Sequence, residues 1–233
     1  MKKGFTLAEV LITLGIIGVV AALTIPTLVQ RNTNETHVQQ LKKVYATLMQ
    51  AAETAMAENN STDLFETPLG AARTPLALNG VYASVNKAAV KSFLNTYFKV
   101  AVDCDSTPAP CFANSYKALD GSDYNFINGG TFPSGDCVSL ADGVAICLDR
   151  GMTPPAPGGW HDYVILYIDV NGPKGPNING RDLFATHLYS DGKMGDSYVL
   201  SPAAAQNDFD FCQSGGYVGC FSKIVTDGWK MDY

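Results

Sequence analysis

Glu9 and the junction between Gly4 and Phe5 are the residues of this chain whose types and spacing offer chemistry. Glu9 stands at the head of residues 10–29, a run of twenty without a charge. A carboxylate in lipid costs a few kcal/mol unless a partner offsets it, and intramembrane acids of this kind usually mark function. A peptide cut after Gly4 would supply the partner. It removes the basic head Met1-Lys2-Lys3-Gly4 and exposes an α-amine on Phe5, four residues before Glu9. Glu9 then lies in the first helical turns, where the macrodipole favours negative charge. The amine of a neighbouring copy is the natural cation for it.

The element that positions these groups is a helix. Twenty apolar residues rising 1.5 Å each reach about 30 Å, the thickness of a bilayer's hydrocarbon core. Lys2 and Lys3 should keep the head on the cytoplasmic side and send the rest outward. A secretory signal peptide would carry a shorter apolar stretch, free of acid, ending in an A-x-A-like site. A plain uncleaved anchor leaves Glu9 unexplained. Gly15, Gly18, Ala21 and Ala22 leave notches in the apolar cylinder, and small residues let helices approach closely in lipid. Pro26 lacks the N–H for one helical bond and should kink or locally open the segment.

Gly4 followed by Phe5-Thr6-Leu7-Ala8-Glu9-Val10-Leu11-Ile12 resembles the cleavage and methylation signature of type IV pilins and type II secretion pseudopilins. The resemblance covers about thirty residues. It implies that a prepilin peptidase cuts after Gly4 and methylates the amine of Phe5. It also implies that Glu9 pairs with a neighbour's N-terminus during filament assembly. Pro26 falls where the family often carries a helix-breaking proline.

Beyond Val29 the apolar residues thin to a stripe. Val38, Leu41, Val44, Leu48, Ala51 and Ala55 recur at three- and four-residue steps, with Gln39, Lys42, Lys43, Gln50 and Glu53 between them. This predicts an amphipathic helix continuing to about Glu58, where Asn59-Asn60-Ser61-Thr62 breaks it. Two helices parted at Arg31-Asn32-Thr33-Asn34 are the alternative, since Asn and Thr are weak helix formers. A second helix is expected over 86–101, capped by Asn86, with Val90, Phe93, Leu94, Tyr97, Phe98 and Ala101 on one face. Strands are expected at 137–140 and 144–148 around an Ala141-Asp142-Gly143 turn, then at 163–170, 183–189 and, as an edge, 198–200.

Six cysteines, Cys104, Cys111, Cys137, Cys147, Cys212 and Cys220, all follow the apolar run. An even number on a translocated domain reads as disulfides, with fifteen possible connectivities. Local pairs are favoured: 104–111, 137–147 and 212–220. For the middle pair, a three-residue loop at 141–143 sets Leu140 opposite Val144, which places Cys137 opposite Cys147 at bridging distance. A zinc site would need Cys-x-x-Cys or clustered histidines, and the chain has neither. The formal charge is −6, and −8 once Lys2 and Lys3 are removed. That balance argues against a phosphate-contacting nucleic-acid binder.

Residues 169–182 hold Asp169, Asn171, Asn177, Asn179 and Asp182 among glycines and prolines. The stretch resembles a D-x-N-G…P-N…G-x-D segment of many large prepilin-like proteins, some of which hold calcium in this domain. Those five side chains carry the oxygens calcium prefers. No glutamate closes the loop as in an EF-hand, and Lys174 and Arg181 add opposing charge. The other reading is an elaborate turn in which Asx side chains bond the backbone. Gly175 to Asp182 misses the phosphate-loop pattern, because Arg181 and Asp182 stand where Lys and Ser/Thr must be.

No nucleophile–base motif such as G-x-S-x-G or H-E-x-x-H occurs. The sequence therefore predicts an α+β, pilin-like chain, not an enzyme and without a required cofactor. It has a leader at 1–4, a long helix at 5–58 that spans the membrane at about 9–30, and a disulfide-braced extracytoplasmic domain at 59–233. An antiparallel sheet packs on the amphipathic half of the long helix, with a second short helix. The expected role is a structural subunit of a bacterial type IV pilus or type II secretion pseudopilus. The chain would start as a single-pass inner-membrane protein and end in a cell-surface pilus or a periplasmic pseudopilus. Its partners would be a prepilin peptidase, other pilin copies and an inner-membrane assembly platform. The alternatives are an anchored, non-polymerising adhesion or ligand-binding module, or a tethered enzyme whose site leaves no local motif.

Overall fold

Helix α1 runs over Leu7–Glu58, through Pro26 and the Asn/Thr segment at 31–34 without a break in helical assignment. The computed structural model describes residues 4, 6–72, 87–105, 107–124, 135–152, 163–198 and 200–233, and divides the chain into two units, Met1–Thr36 and His37–Tyr233. In the first unit α1 exposes Leu11, Ile12, Leu14, Ile16, Ile17, Val19, Val20 and Leu23, each more than half accessible. Threonine hydroxyls there turn back onto the helix, as from Thr13 to the Glu9 carbonyl at 2.9 Å and from Thr24 to the Val20 carbonyl at 2.9 Å. It is the one described helix long and apolar enough to cross a membrane.

In the second unit α1 buries the predicted stripe: Val38, Leu41, Val44, Leu48, Ala51, Ala52 and Ala55. Asn59 ends the helix by donating its carboxamide N–H to the Ala55 carbonyl at 2.8 Å, and Asn60 follows at φ 50°. Short 3-10 turns at Leu64–Glu66 and Pro68–Ala72 lead on, and α2 occupies Lys87–Tyr97.

Six strands form one antiparallel sheet: β1 (Val100–Asp105), β4 (Asp136–Leu140), β5 (Ala145–Met152), β6 (Tyr163–Asp169), β7 (Leu183–Tyr189) and β8 (Met194–Gly195), adjacent in that order. A separate pair, β2 (Tyr116–Lys117) with β3 (Asp123–Tyr124), lies between β1 and β4 in the chain. Side chains alternate across the large sheet, as strand geometry requires. Val138, Ile146, Leu148, Leu166, Ile168 and Phe184 join the α1 stripe in the main core. Their neighbours Cys137, Cys147, Ile165, Tyr167 and Ala185 form a second cluster with Phe112 and Tyr116 on the other face.

The β4–β5 hairpin follows the expected register. Gly143 takes φ 89°, which glycine reaches without steric cost, and Leu140 N–H bonds the Val144 carbonyl at 2.8 Å. Three expectations need correction. The second helix stops at Tyr97, because Val100 and Ala101 begin β1, which pairs with β4 from Val100 opposite Leu140; its Asn86 cap lies outside the described residues. The edge strand is Met194–Gly195, paired with β7. Tyr198 instead belongs to a bend that sends its hydroxyl to Asp191 at 2.9 Å, and Val199 lies outside the described residues.

The third correction adds two helices at the C-terminus, α3 (Pro202–Gln213) and α4 (Cys220–Thr226). Ser201 caps α3 by accepting the Ala204 N–H at 3.1 Å, and Pro202 occupies its first turn, where no N–H is needed. Phe221 of α4 lies 6.0 Å from the Tyr45 ring and Trp229 lies 5.2 Å from it, so α1 is packed by the C-terminal segment as well as by the sheet.

Leu48 is fully buried and Gln50 is exposed on the same helix. Leu48→Ala should cost about 2–5 kcal/mol by lost burial and a residual cavity, and Gln50→Ala less than about 0.5 kcal/mol. Chemical denaturation of the detergent-solubilised chain, followed by near-UV circular dichroism, checks both.

Candidate processing and assembly site

At the head of α1, Thr6 and Glu9 form a capping box. The Thr6 N–H and the Thr6 hydroxyl both donate to Glu9 Oε2 at 2.8 Å, and the Glu9 N–H donates back to the Thr6 hydroxyl oxygen at 3.3 Å. Two otherwise orphaned helix donors are satisfied by a pair of side chains three residues apart. The hydroxyl of Thr6 has no role of its own in the sequence pattern, yet Thr-x-x-Glu before an apolar run is the signal for it. Oε2 is the Glu9 oxygen engaged this way, and no hydrogen bond among the described residues engages Oε1.

Gly4 is exposed, and a methyl group built at its Cα would meet no heavy atom within 4 Å. Gly15 and Gly18 are equally unobstructed. Phe5 lies outside the described residues.

Three disulfides close: Cys104–Cys111, Cys137–Cys147 and Cys212–Cys220, with Cα separations of 6.2, 4.1 and 5.6 Å. The middle pair bridges directly opposed residues of β4 and β5. The third ties the end of α3 to the start of α4. Gly180, at φ 85°, leaves room for it: a Cβ there would stand 2.6 Å from Cys220 Sγ.

The five Asx residues of 169–182 are brought into one loop, where most of their polar atoms serve the backbone. Both oxygens of buried Asp182 accept N–H groups at 2.6 Å, from Asn177 and Ile178. Buried Asp169 accepts the Tyr116 hydroxyl and, at 3.1 Å, the Asn171 N–H. Asn171 donates to the Gly175 carbonyl at 3.1 Å, and Asn179 to the Gly216 carbonyl at 3.0 Å. Asn171 Oδ1 and Asn177 Oδ1 are left buried without a partner. Among the described residues, no group of three or more His, Cys, Asp or Glu is placed to hold a metal. His37 Nδ1 lies 3.1 Å from the Arg181 carbonyl, and the Tyr233 hydroxyl donates to the Gly180 carbonyl at 2.8 Å. The loop is thus latched to α1 and to the C-terminal residue.

Burial pushes the Asp169 carboxyl up to about 8, against the pull of Tyr116 and nearby N–H groups. Burial likewise raises Asp196 to about 7 and lowers His187 to about 4. From pH 6.5 to 8 the unfolded His187 gives up the remainder of its proton while the folded ring is already neutral, which raises stability by less than the two acids lower it. The two acids hold protons that the unfolded chain has lost, so stability should fall as pH rises from 6.5 to 8. Asp169→Asn, neutral throughout, should remove about 1–2 kcal/mol of that fall. Denaturant midpoints at the two pH values measure it.

Residues 1–25 match the family model described as the prokaryotic N-terminal methylation motif. No curated protein and no solved structure shows a significant match to the chain. With the small residue, the capping Thr6 and the helix-head Glu9 in place, the chain carries at its N-terminus the type IV pilin and pseudopilin signature.

Proposed function

We propose that this chain is the precursor of a structural subunit of a bacterial type IV pilus or type II secretion pseudopilus. A prepilin peptidase cuts after Gly4 and methylates the new amine of Phe5. The subunit waits in the inner membrane with its head on the cytoplasmic side, and an inner-membrane assembly platform transfers it into a filament at the cell surface or in the periplasm. There its helix packs against the helices of other copies, and the Glu9 oxygen left outside the capping box meets the amine of a neighbour.

The observation that carries this reading is the apolar surface of residues 10–29, exposed on every side and headed by a single carboxylate. A helix apolar all round belongs in lipid or among other helices. Lipid alone accounts for the surface but not for the acid. A non-polymerising adhesion module or a tethered enzyme would have no use for a free amine at Phe5.

The loop at 169–182 is read as a structural latch rather than a calcium site, since its carboxylates already accept backbone and tyrosine donors. The melting temperature should therefore be the same with calcium and with a chelator. A rise of several degrees on adding calcium would assign the loop to the metal.

Intact mass measurement of the membrane-extracted protein should find residues 1–4 missing and one methyl group added; a product retaining Met1 would overturn the reading. Glu9→Gln separates two roles of the side chain, because glutamine still completes a capping box but carries no charge. The variant should insert and be cleaved normally yet release no filaments on shearing. Wild-type filament yield from it would refute the charge pairing.

A further inference from the structure

Three Asn-x-Ser/Thr triplets occur in the described chain, at Asn34, Asn59 and Asn60. The triplet is the acceptor pattern for N-linked glycosylation of translocated proteins. The structure separates the three. Asn34 lies inside α1, with its Oδ1 accepting from Gln30 at 2.7 Å. Asn59 uses its carboxamide N–H to close the helix on the Ala55 carbonyl at 2.8 Å. Asn60 is one residue further on, exposed, at φ 50° in the left-handed region. No hydrogen bond engages its carboxamide among the described residues.

The backbone around Asn60 is already folded into a tight turn. Its N–H bonds the Ala57 carbonyl at 3.2 Å, and the Ser61 N–H bonds the Met56 carbonyl at 3.0 Å. This presents the carboxamide at the apex, with the exposed Thr62 two residues on. A transferase must reach the asparagine nitrogen and read the +2 hydroxyl together, and an exposed turn offers both. Asn60 alone of the three also has an acid two residues earlier. Glu58 holds that position, whereas Asn32 and Ala57 precede the other two. Glu58 is exposed, and the Tyr97 hydroxyl fixes its carboxylate at 2.6 Å. A fixed, exposed carboxylate is a handle that a guanidinium can grip with charge-assisted hydrogen bonds.

We propose that Asn60 is the acceptor of an N-linked oligosaccharide, delivered by a membrane transferase from a polyprenyl-diphosphate donor. The Asn60 carboxamide nitrogen attacks C1 of the donor's first sugar. The C–N bond forms as the C1–O bond to the diphosphate breaks, and the polyprenyl diphosphate leaves with the electron pair. The carboxamide proton passes to a base of the transferase. The inference rests on the domain reaching the translocated side of the membrane, as the functional reading holds.

Protein extracted from its native membranes, digested with trypsin and fragmented by electron transfer, tests it on peptide 44–73. A mass increment of sugar residues on Asn60 is expected, lost in Asn60→Gln and Thr62→Ala, kept in Asn34→Gln and reduced at least tenfold in Glu58→Gln. Retention of all three disulfides in each variant reports that it has folded. An unmodified Asn60, or a sugar on the Ser61 or Thr62 hydroxyl instead, overturns the proposal. Alkylation of the same sample without reductant keeps the two readings apart. Oxidised cysteines with a bare Asn60 refute the glycan and leave the topology standing. Reduced cysteines refute the topology and the glycan with it.

Discussion

Apolar surface has to leave water, and α1 meets that demand in two different ways along its length. From His37 to Glu58 the apolar residues form one stripe, which the sheet and the C-terminal segment cover within the same chain. Through residues 10–29 they surround the helix. A helix apolar all round is suited to lipid or to packing among other helices. The capping box, the cysteine-braced domain and the processing motif all fit around this division of one helix between two environments.

Glu9 is held against this background with little room for variation. Its bonds to Thr6 fix the carboxylate at the helix head, where backbone N–H groups already favour negative charge. A pre-positioned acid loses less freedom when a cation arrives than a mobile one would. The same two residues therefore begin the helix and fix the carboxylate that heads its apolar run.

In the domain, short covalent loops and buried polar groups add to two hydrophobic clusters. The three disulfides span separations of 7, 10 and 8 residues, so each restrains a local segment rather than joining distant parts. Long-range order comes from packing and from the loop at 169–182. Asp182 organises that loop from within, and His37, Lys117 and Tyr233 tie it to α1, β2 and the C-terminus. Asp169 and Asp182 are both inaccessible to solvent, so their hydrogen bonds are demanded by burial.

Local pattern alone determined the features that depend on neighbours in the chain. The apolar run with its head acid, the amphipathic stripe after it, the end of the helix at the asparagines and the β4–β5 register all follow from spacing, because helix and strand periods are fixed by backbone geometry. A local signal also existed for α3, a Ser-Pro start before Ala205, Phe209 and Cys212 at helical steps, but the expected elements did not include it. Tertiary structure decided what local preference leaves undetermined. Val100 and Ala101 fit either the end of a helix or the start of a strand, and β4's unpaired edge selected the strand. Residues 169–182 suit either a cation or a turn by composition. Which donors reach their oxygens depends on Tyr116, fifty-three residues away from Asp169, and only folding brings them together.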